Sequence, residues 1–125
     1  MLKTAWTPGP AGADGQVLVS VTAFTCDHVQ DMPKIYRAGT RLARLWPTLE
    51  GAVGHWLWME PLRRRSGSVS LWSDHQAMRD FVRLPVHVQI MRQFRDRGTV
   101  RSTTWTVDDP DLTDTWRRAA EFLKQ

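Results

Sequence analysis

The sequence predicts an α+β domain in the order β-α-β-β-α-β, with one further helix at the C-terminus. Three observations carry that expectation. Four short apolar segments, partly alternating and rich in Val and Trp, read as strands. Two stretches at helical spacing separate the first strand from the second and the third from the fourth. The length of 125 residues, with 42% apolar and 24% charged, suits one folded domain and leaves little room for a second.

The elements follow in order. Residues 1 to 15 contain Pro8-Gly9-Pro10 and Gly12, which deny both helix and ladder and predict an extended arm ahead of a single domain over 16 to 125. Gln16 to Phe24 reads as a mostly buried strand and Thr25 to Gln30 as a loop. Asp31 is placed to cap a helix with Pro33 in its first turn. Ile35, Ala38, Leu42, Leu45 and Leu49 give that helix its apolar stripe, and Pro47 ends it at Trp46. Gly51 to Glu60 is the second strand, with His55, Leu57 and Met59 on one face and Trp56, Trp58 and Glu60 on the other.

A turn at Arg63, Arg64 and Arg65 leads into the third strand, Ser68 to Ser73, as a hairpin. Ser73 and Gln76 have the spacing of a capping box and start a long helix at Asp74, which runs to about Asp96 and stops at Gly98. Thr99 to Val107 is the fourth strand. Asp108-Asp109-Pro110 breaks the chain before a last amphipathic helix, Asp111 to Lys124. The whole is a ferredoxin-like split βαβ unit, a four-stranded antiparallel sheet with helices on one face and an extra C-terminal helix. With apolar residues on both sheet faces, a second subunit is the expected cover of the other face, so the chain is expected to be a homodimer.

Composition removes several function classes. There are 17 Lys plus Arg against 13 Asp plus Glu, a net charge of +4. The basic residues fall on one helix face (Lys34, Arg37, Arg41, Arg44) and in the arginine turn, without the interleaved aromatics and glycines that nucleic-acid binders use. No apolar run approaches the roughly 20 residues of a membrane span. Met1 to Gly15 has no secretory core, and a lone Cys26 gives no disulfide framework, so a reducing bacterial cytoplasm is the expected address. Ser-His-Asp, H-E-x-x-H, P-loop and G-x-G-x-x-G patterns are absent.

The long helix holds a conflict. Met78, Phe81, Val82 and Pro85 form one stripe, whereas His87, Ile90, Met91 and Phe94 form another on nearly the opposite side. One straight helix cannot bury both, so the chain must kink or restart at Pro85, whose ring biases Leu84 out of the α region. His87 then lies in the first turn of the second piece and on its apolar stripe. Burial and the positive helix end both disfavour a cation there, which predicts a neutral imidazole able to serve as a general base, an oxygen-orienting donor or an axial ligand to haem iron. His55 shares a strand face with Leu57 and Met59 and is expected to share the same space. His75 and His28 read as surface residues.

Trp56, Trp58, Trp72 and Trp105 all fall on strands, more large aromatics than one thin core holds, so some are expected to line a ligand cavity or an interface. Trp6 and Trp116 are expected to anchor the arm and the last helix.

From Gln16 to Val107 the chain resembles the dimeric α/β-barrel superfamily, and within it the antibiotic-biosynthesis-monooxygenase and spheroidene-monooxygenase-like proteins. The resemblance rests on Ser70-Leu71-Trp72-Ser73, Ala77-Met78-Arg79, Phe81, His87 and Met91. It implies a dimer paired through its sheets, with a small-molecule pocket inside each subunit lined by Trp72, Phe81 and His87. Spheroidene-monooxygenase-like relatives imply haem on a helix histidine, although in the haem-degrading branch the ligating histidine falls nearer Met91. Cofactor-free relatives oxidise electron-rich aromatic molecules that supply their own electrons.

These considerations lead to a tailoring monooxygenase of secondary metabolism acting on a hydrophobic or aromatic molecule. His87 would be the catalytic residue. Trp72, Phe81, Met91, His55, Trp58 and Arg79 would contact substrate, with Arg79 or Arg92 as anion clamps. No cofactor is expected, haem on His87 being the alternative. A non-redox isomerase or cyclase using His87 for proton transfer, and a non-catalytic ligand-binding dimer, are the other functional expectations.

Overall fold

The N-terminal arm joins the sheet. In the computed structural model, which describes residues 1–125, β1 (Leu2–Lys3) and β2 (Thr7–Pro8) both pair antiparallel with the strand Ala52–Glu60. The expectation that Pro8 and Gly9 deny a ladder is therefore corrected. Pro8 sits on an outer strand, where its missing N–H costs no pairing, and the amides of Thr4, Gly9 and Ala11 donate to Leu57, Val53 and Ala52. Gly54 makes room for this arm, since a Cβ there would stand 2.0 Å from the Trp6 ring.

The main sheet contains β3 (Gln16–Cys26), β4 (Ala52–Glu60), β5 (Arg65–Trp72) and β6 (Gly98–Asp108), antiparallel throughout and in spatial order β4-β5-β3-β6. This is the ferredoxin-like arrangement. The period-two alternation of β3 sends Val17, Val19, Val21 and Ala23 into the larger core, while Ser20, Thr22 and Phe24 face a layer made by α1 (Met32–Ala43), α2 (His75–Val82) and α3 (Pro85–Phe94).

The other face is covered from within the chain. α4 (Leu112–Lys124), capped by the Asp111 carboxylate on the Asp114 amide, lays Ala119 and Leu123 onto Val17, Val19, Val21, Val53, Trp56, Val69 and Leu71. Trp6 and Trp116 flank Trp56 at 4.6 and 5.5 Å between centroids, with the Lys3 ammonium over Trp56 and Trp116. The arm and α4 thus occupy the surface on which the sequence places a second subunit.

Several boundaries differ for local reasons. α1 stops at Ala43 and a 3-10 turn over Trp46–Thr48 follows, which buries Trp46 instead of leaving it at a helix end. The cap of α2 is Asp74, which accepts from the Ala77 amide, while Gln76 donates to Asp80; the Ser73/Gln76 box does not form. α3 ends at Phe94, and Gly98 opens β6, where a Cβ would meet the Thr25 carbonyl at 2.1 Å. Arg65 is no turn residue. It pairs with Glu60, donates to the Leu123 carbonyl at 2.6 Å and lies over Trp58, tying the hairpin to α4.

Candidate active site

Between the sheet and α1–α3 lies a cavity of about 590 Å³. Its size follows from the side chains that floor it. Ser66, Ser68 and Ser70 alternate along β5 and sit beside Ser20 and Thr22 of β3, so small hydroxyl residues stand where a filled core would have Val or Leu. The roof is apolar: Ile35, Ala38 and Leu42 from α1, Met78 and Phe81 from α2, His87, Ile90, Met91 and Phe94 from α3. Arg95 is the one charged side chain on the lining. Tyr36, Val82, Met91, Arg95, Thr99 and Val100 also border the cavity and remain exposed, so its mouth is mostly apolar with one cation beside it.

Aromatic rings build one wall. Trp46 contacts Trp72 at 4.9 Å and Phe81 at 5.3 Å between centroids, and Trp72 contacts Phe81 at 5.2 Å. An imidazole stands at each side of this cluster, His55 at 4.3 Å from Trp46 and His87 at 4.9 Å from Phe81. The restart at Pro85 is what turns His87 inward. Leu84 is extended (φ −57°, ψ 138°), so α2 and α3 carry their apolar stripes independently and both present them to the cavity.

Burial sets the charge state of both imidazoles. His55 is 2% exposed, and desolvation lowers its pKa to about 4. Desolvation also lowers that of His87, with the Val82 carbonyl acting in the opposite direction. Both rings are neutral at pH 7. The Nδ1 atoms of both, the Nε1 of Trp46 and the Oγ of Ser66 are buried without a hydrogen-bond partner. By contrast, Trp72 Nε1 donates to Ser70 Oγ at 3.0 Å.

The chain matches no family model and no curated protein. Solved structures do match. SnoaB of Streptomyces nogalater, described as a cofactor-independent oxygenase, aligns over 74% of this chain and 93% of its own, with a TM-score of 0.56 and 21% identity. Protein SO0527 of Shewanella oneidensis aligns over 75% and 93%, with a TM-score of 0.67 and 15% identity. A Nitrosomonas europaea protein predicted to be an antibiotic biosynthesis monooxygenase aligns over 76% and 91%, with a TM-score of 0.63 and 6% identity. The fold is that of the antibiotic-biosynthesis-monooxygenase-like proteins. At these identities the likeness carries architecture and not chemistry.

Within that fold the structure gathers His87, Trp72, Phe81, His55 and Met91 around one cavity, Met91 at its mouth. Trp58 borders the cavity, yet its ring packs in the core under α4. Arg79 and Arg92 are exposed and lie off the lining. The reason is helical phase: each sits on the outer side of its helix, opposite the buried stripe. His75 and His28 are exposed as expected.

Two sets of residues escaped the sequence reading. Trp46 reads as the end of a helix, and the signal that it is buried was its place directly before Pro47, where the chain has to turn. The serine floor is visible in S-G-S-V-S as alternating small residues in a strand, a pattern that leaves volume unfilled.

No group of three His, Cys, Asp or Glu side chains could hold a metal ion. Haem, implied by the spheroidene-monooxygenase-like resemblance, needs an imidazole nitrogen open to iron and cations for its carboxylates. His55 and His87 are the imidazoles on the lining, and Arg95 is its sole cation. No helix is long and apolar enough to cross a membrane.

Proposed function

We propose that the chain is a monooxygenase-like enzyme that oxidises a hydrophobic aromatic molecule in the cavity between the sheet and α1–α3, using no bound cofactor. The observation that carries the reading is the pairing of an aromatic wall with a neutral imidazole, His87, on the lining of a cavity with an apolar roof and a floor of small hydroxyl residues.

In this reading Trp72 and Phe81 hold the substrate ring while His87 removes a proton from an activated C–H beside it. The electron pair left on carbon reduces O2, a carbon–oxygen bond forms, and loss of water leaves a carbonyl. One methylene and one O2 give one carbonyl and one water. The substrate supplies all four electrons, so the balance calls for no reductant from outside. Exclusion of water by the bound substrate favours this order, because water would reprotonate the carbanion before O2 reacts. The description of two fold neighbours as oxygenases supports the choice of oxidation over isomerisation.

Anthrone, whose methylene is acidic and flanked by aromatic rings, tests the reading with an oxygen electrode. The expected result is O2 uptake above autoxidation, matched mole for mole by anthraquinone. Shift of a double bond without O2 uptake in a related ketone would favour the isomerase alternative.

The homodimer is proposed on a different surface from the α4-covered face. β6 is an outer strand of 11 residues, without proline, whose free edge can accept a second copy. Light scattering on a sizing column decides it, and a monomer there removes this part of the proposal.

A further inference from the structure

We infer that Trp46 and His55 form a recognition pair for a hydroxyl group on the ligand. The inference deepens the reading of the cavity as a substrate site and rests on it.

Both side chains are almost completely buried, Trp46 at 3% and His55 at 2% exposure, and both border the cavity. Their rings stand 4.3 Å apart between centroids. Trp46 Nε1 and His55 Nδ1 have neither a protein partner nor contact with solvent. A folded chain rarely leaves two polar atoms on adjacent rings in that condition, since each forfeits the hydrogen bonds it had with water.

The neighbouring ring shows that the same site can close such a group. Trp72, in contact with Trp46, donates its indole N–H to Ser70. Ser70 lies directly across the β4–β5 ladder from His55, yet its side-chain partner is Trp72, and no hydrogen bond joins it to the His55 ring. The sequence thus satisfies one indole of the wall and leaves the other unpaired together with an imidazole.

The chemistry of the two open atoms selects the ligand group. An indole N–H only donates, whereas a neutral imidazole nitrogen either accepts or donates according to tautomer. A hydroxyl accepts from Trp46 and donates to a bare Nδ1, or accepts from both if Nδ1 carries the proton. A hydrocarbon edge satisfies neither. The pair therefore acts on specificity, by leaving two groups unpaired when the hydroxyl is missing.

Naphthalene and 1-naphthol differ by that one group and serve as probes. Affinity is read by calorimetry and by the indole N–H signals of the ¹⁵N-labelled protein, in which Trp46→Phe identifies the signal of Trp46. The expected result is that 1-naphthol binds about 10- to 100-fold tighter than naphthalene, with the Trp46 signal moving on addition of 1-naphthol. Trp46→Phe and His55→Leu should each reduce that preference to a few-fold while still binding naphthalene. If His55→Leu does not fold, Trp46→Phe carries the comparison alone, because it keeps the ring contacts. Equal affinity of the two probes for the unaltered protein overturns the pair and leaves the cavity reading standing. Failure of both probes to bind overturns both.

Discussion

Phe81 and His87 meet edge to face at 4.9 Å although they belong to different helices separated by a break. On one continuous helix their side chains would point roughly 120° apart and the stripes they belong to would face opposite sides, so this contact depends on the extended Leu84 before Pro85. The cavity geometry is in that sense set by one proline. Pro85→Ala frees Leu84 to become helical and should misplace His87. Since Pro85 occupies the first turn of α3, the stability change should stay within about 1 kcal/mol, whereas turnover should fall about 10- to 100-fold. Comparing rate with thermal midpoint separates the two, and an unchanged rate would show that the break does not position the base.

His87→Ala should lower turnover by about 10² to 10⁴ with a normal circular dichroism spectrum. The pH profile gives a second check. Burial lowers the pKa of His87, so the neutral base should persist below the pH at which free imidazole is half protonated. The acid limb of the rate should accordingly lie below about 6.5. A limb above that value would assign the titration to another group.

His55 makes stability depend on pH in a definite direction. Its folded pKa of about 4 lies below the unfolded value of 6.5. Between these values the unfolded chain binds the proton and the folded chain does not. Stability should be full above pH 6.5 and fall as pH drops toward 4, by on the order of 3 kcal/mol from this residue. Urea unfolding across that window measures it, and His55→Leu should flatten the slope. The same slope in the variant would mean that other groups carry it.

The face under α4 should tolerate little. Leu123 is 1% exposed against the valines and tryptophans of the sheet, so Leu123→Ala should cost about 2 to 5 kcal/mol. A chain ending before Asp111 would expose that whole face and should aggregate or remain unfolded. A well-behaved truncated dimer would instead restore the view that a second subunit covers the sheet.

Haemin added to the purified protein should give no Soret band beyond that of free haemin. A sharp band lost in His87→Ala would assign an axial ligand and reverse the cofactor-free reading.

How much of this could be read from the sequence depended on how local the cause was. The strands, the helix order and the break at Pro85 follow from period, β-branching and the proline ring, which act within a few residues. The neutrality of His87 was legible for the same reason, since its place on an apolar stripe in a first turn is a local fact. Its place on one cavity lining with Phe81 and Trp72 was implied by resemblance. The placement of Arg79 and Arg92 off the lining was not legible, because their outward phase is fixed by which stripe the cavity claims. Trp46 was missed because its burial depends on a turn whose direction is set by packing.

By itself, then, the sequence determined an α+β chain with its helices broken where proline requires and its aromatics weighted toward strands, because propensity and periodicity are properties of neighbouring residues. Only the tertiary structure decided which face α4 covers, that serines from two strands leave the floor hollow, and that Trp46 and His55 stand side by side with unpaired nitrogens. Those outcomes depend on how residues distant in sequence share one volume, and close packing settles that for the whole chain at once.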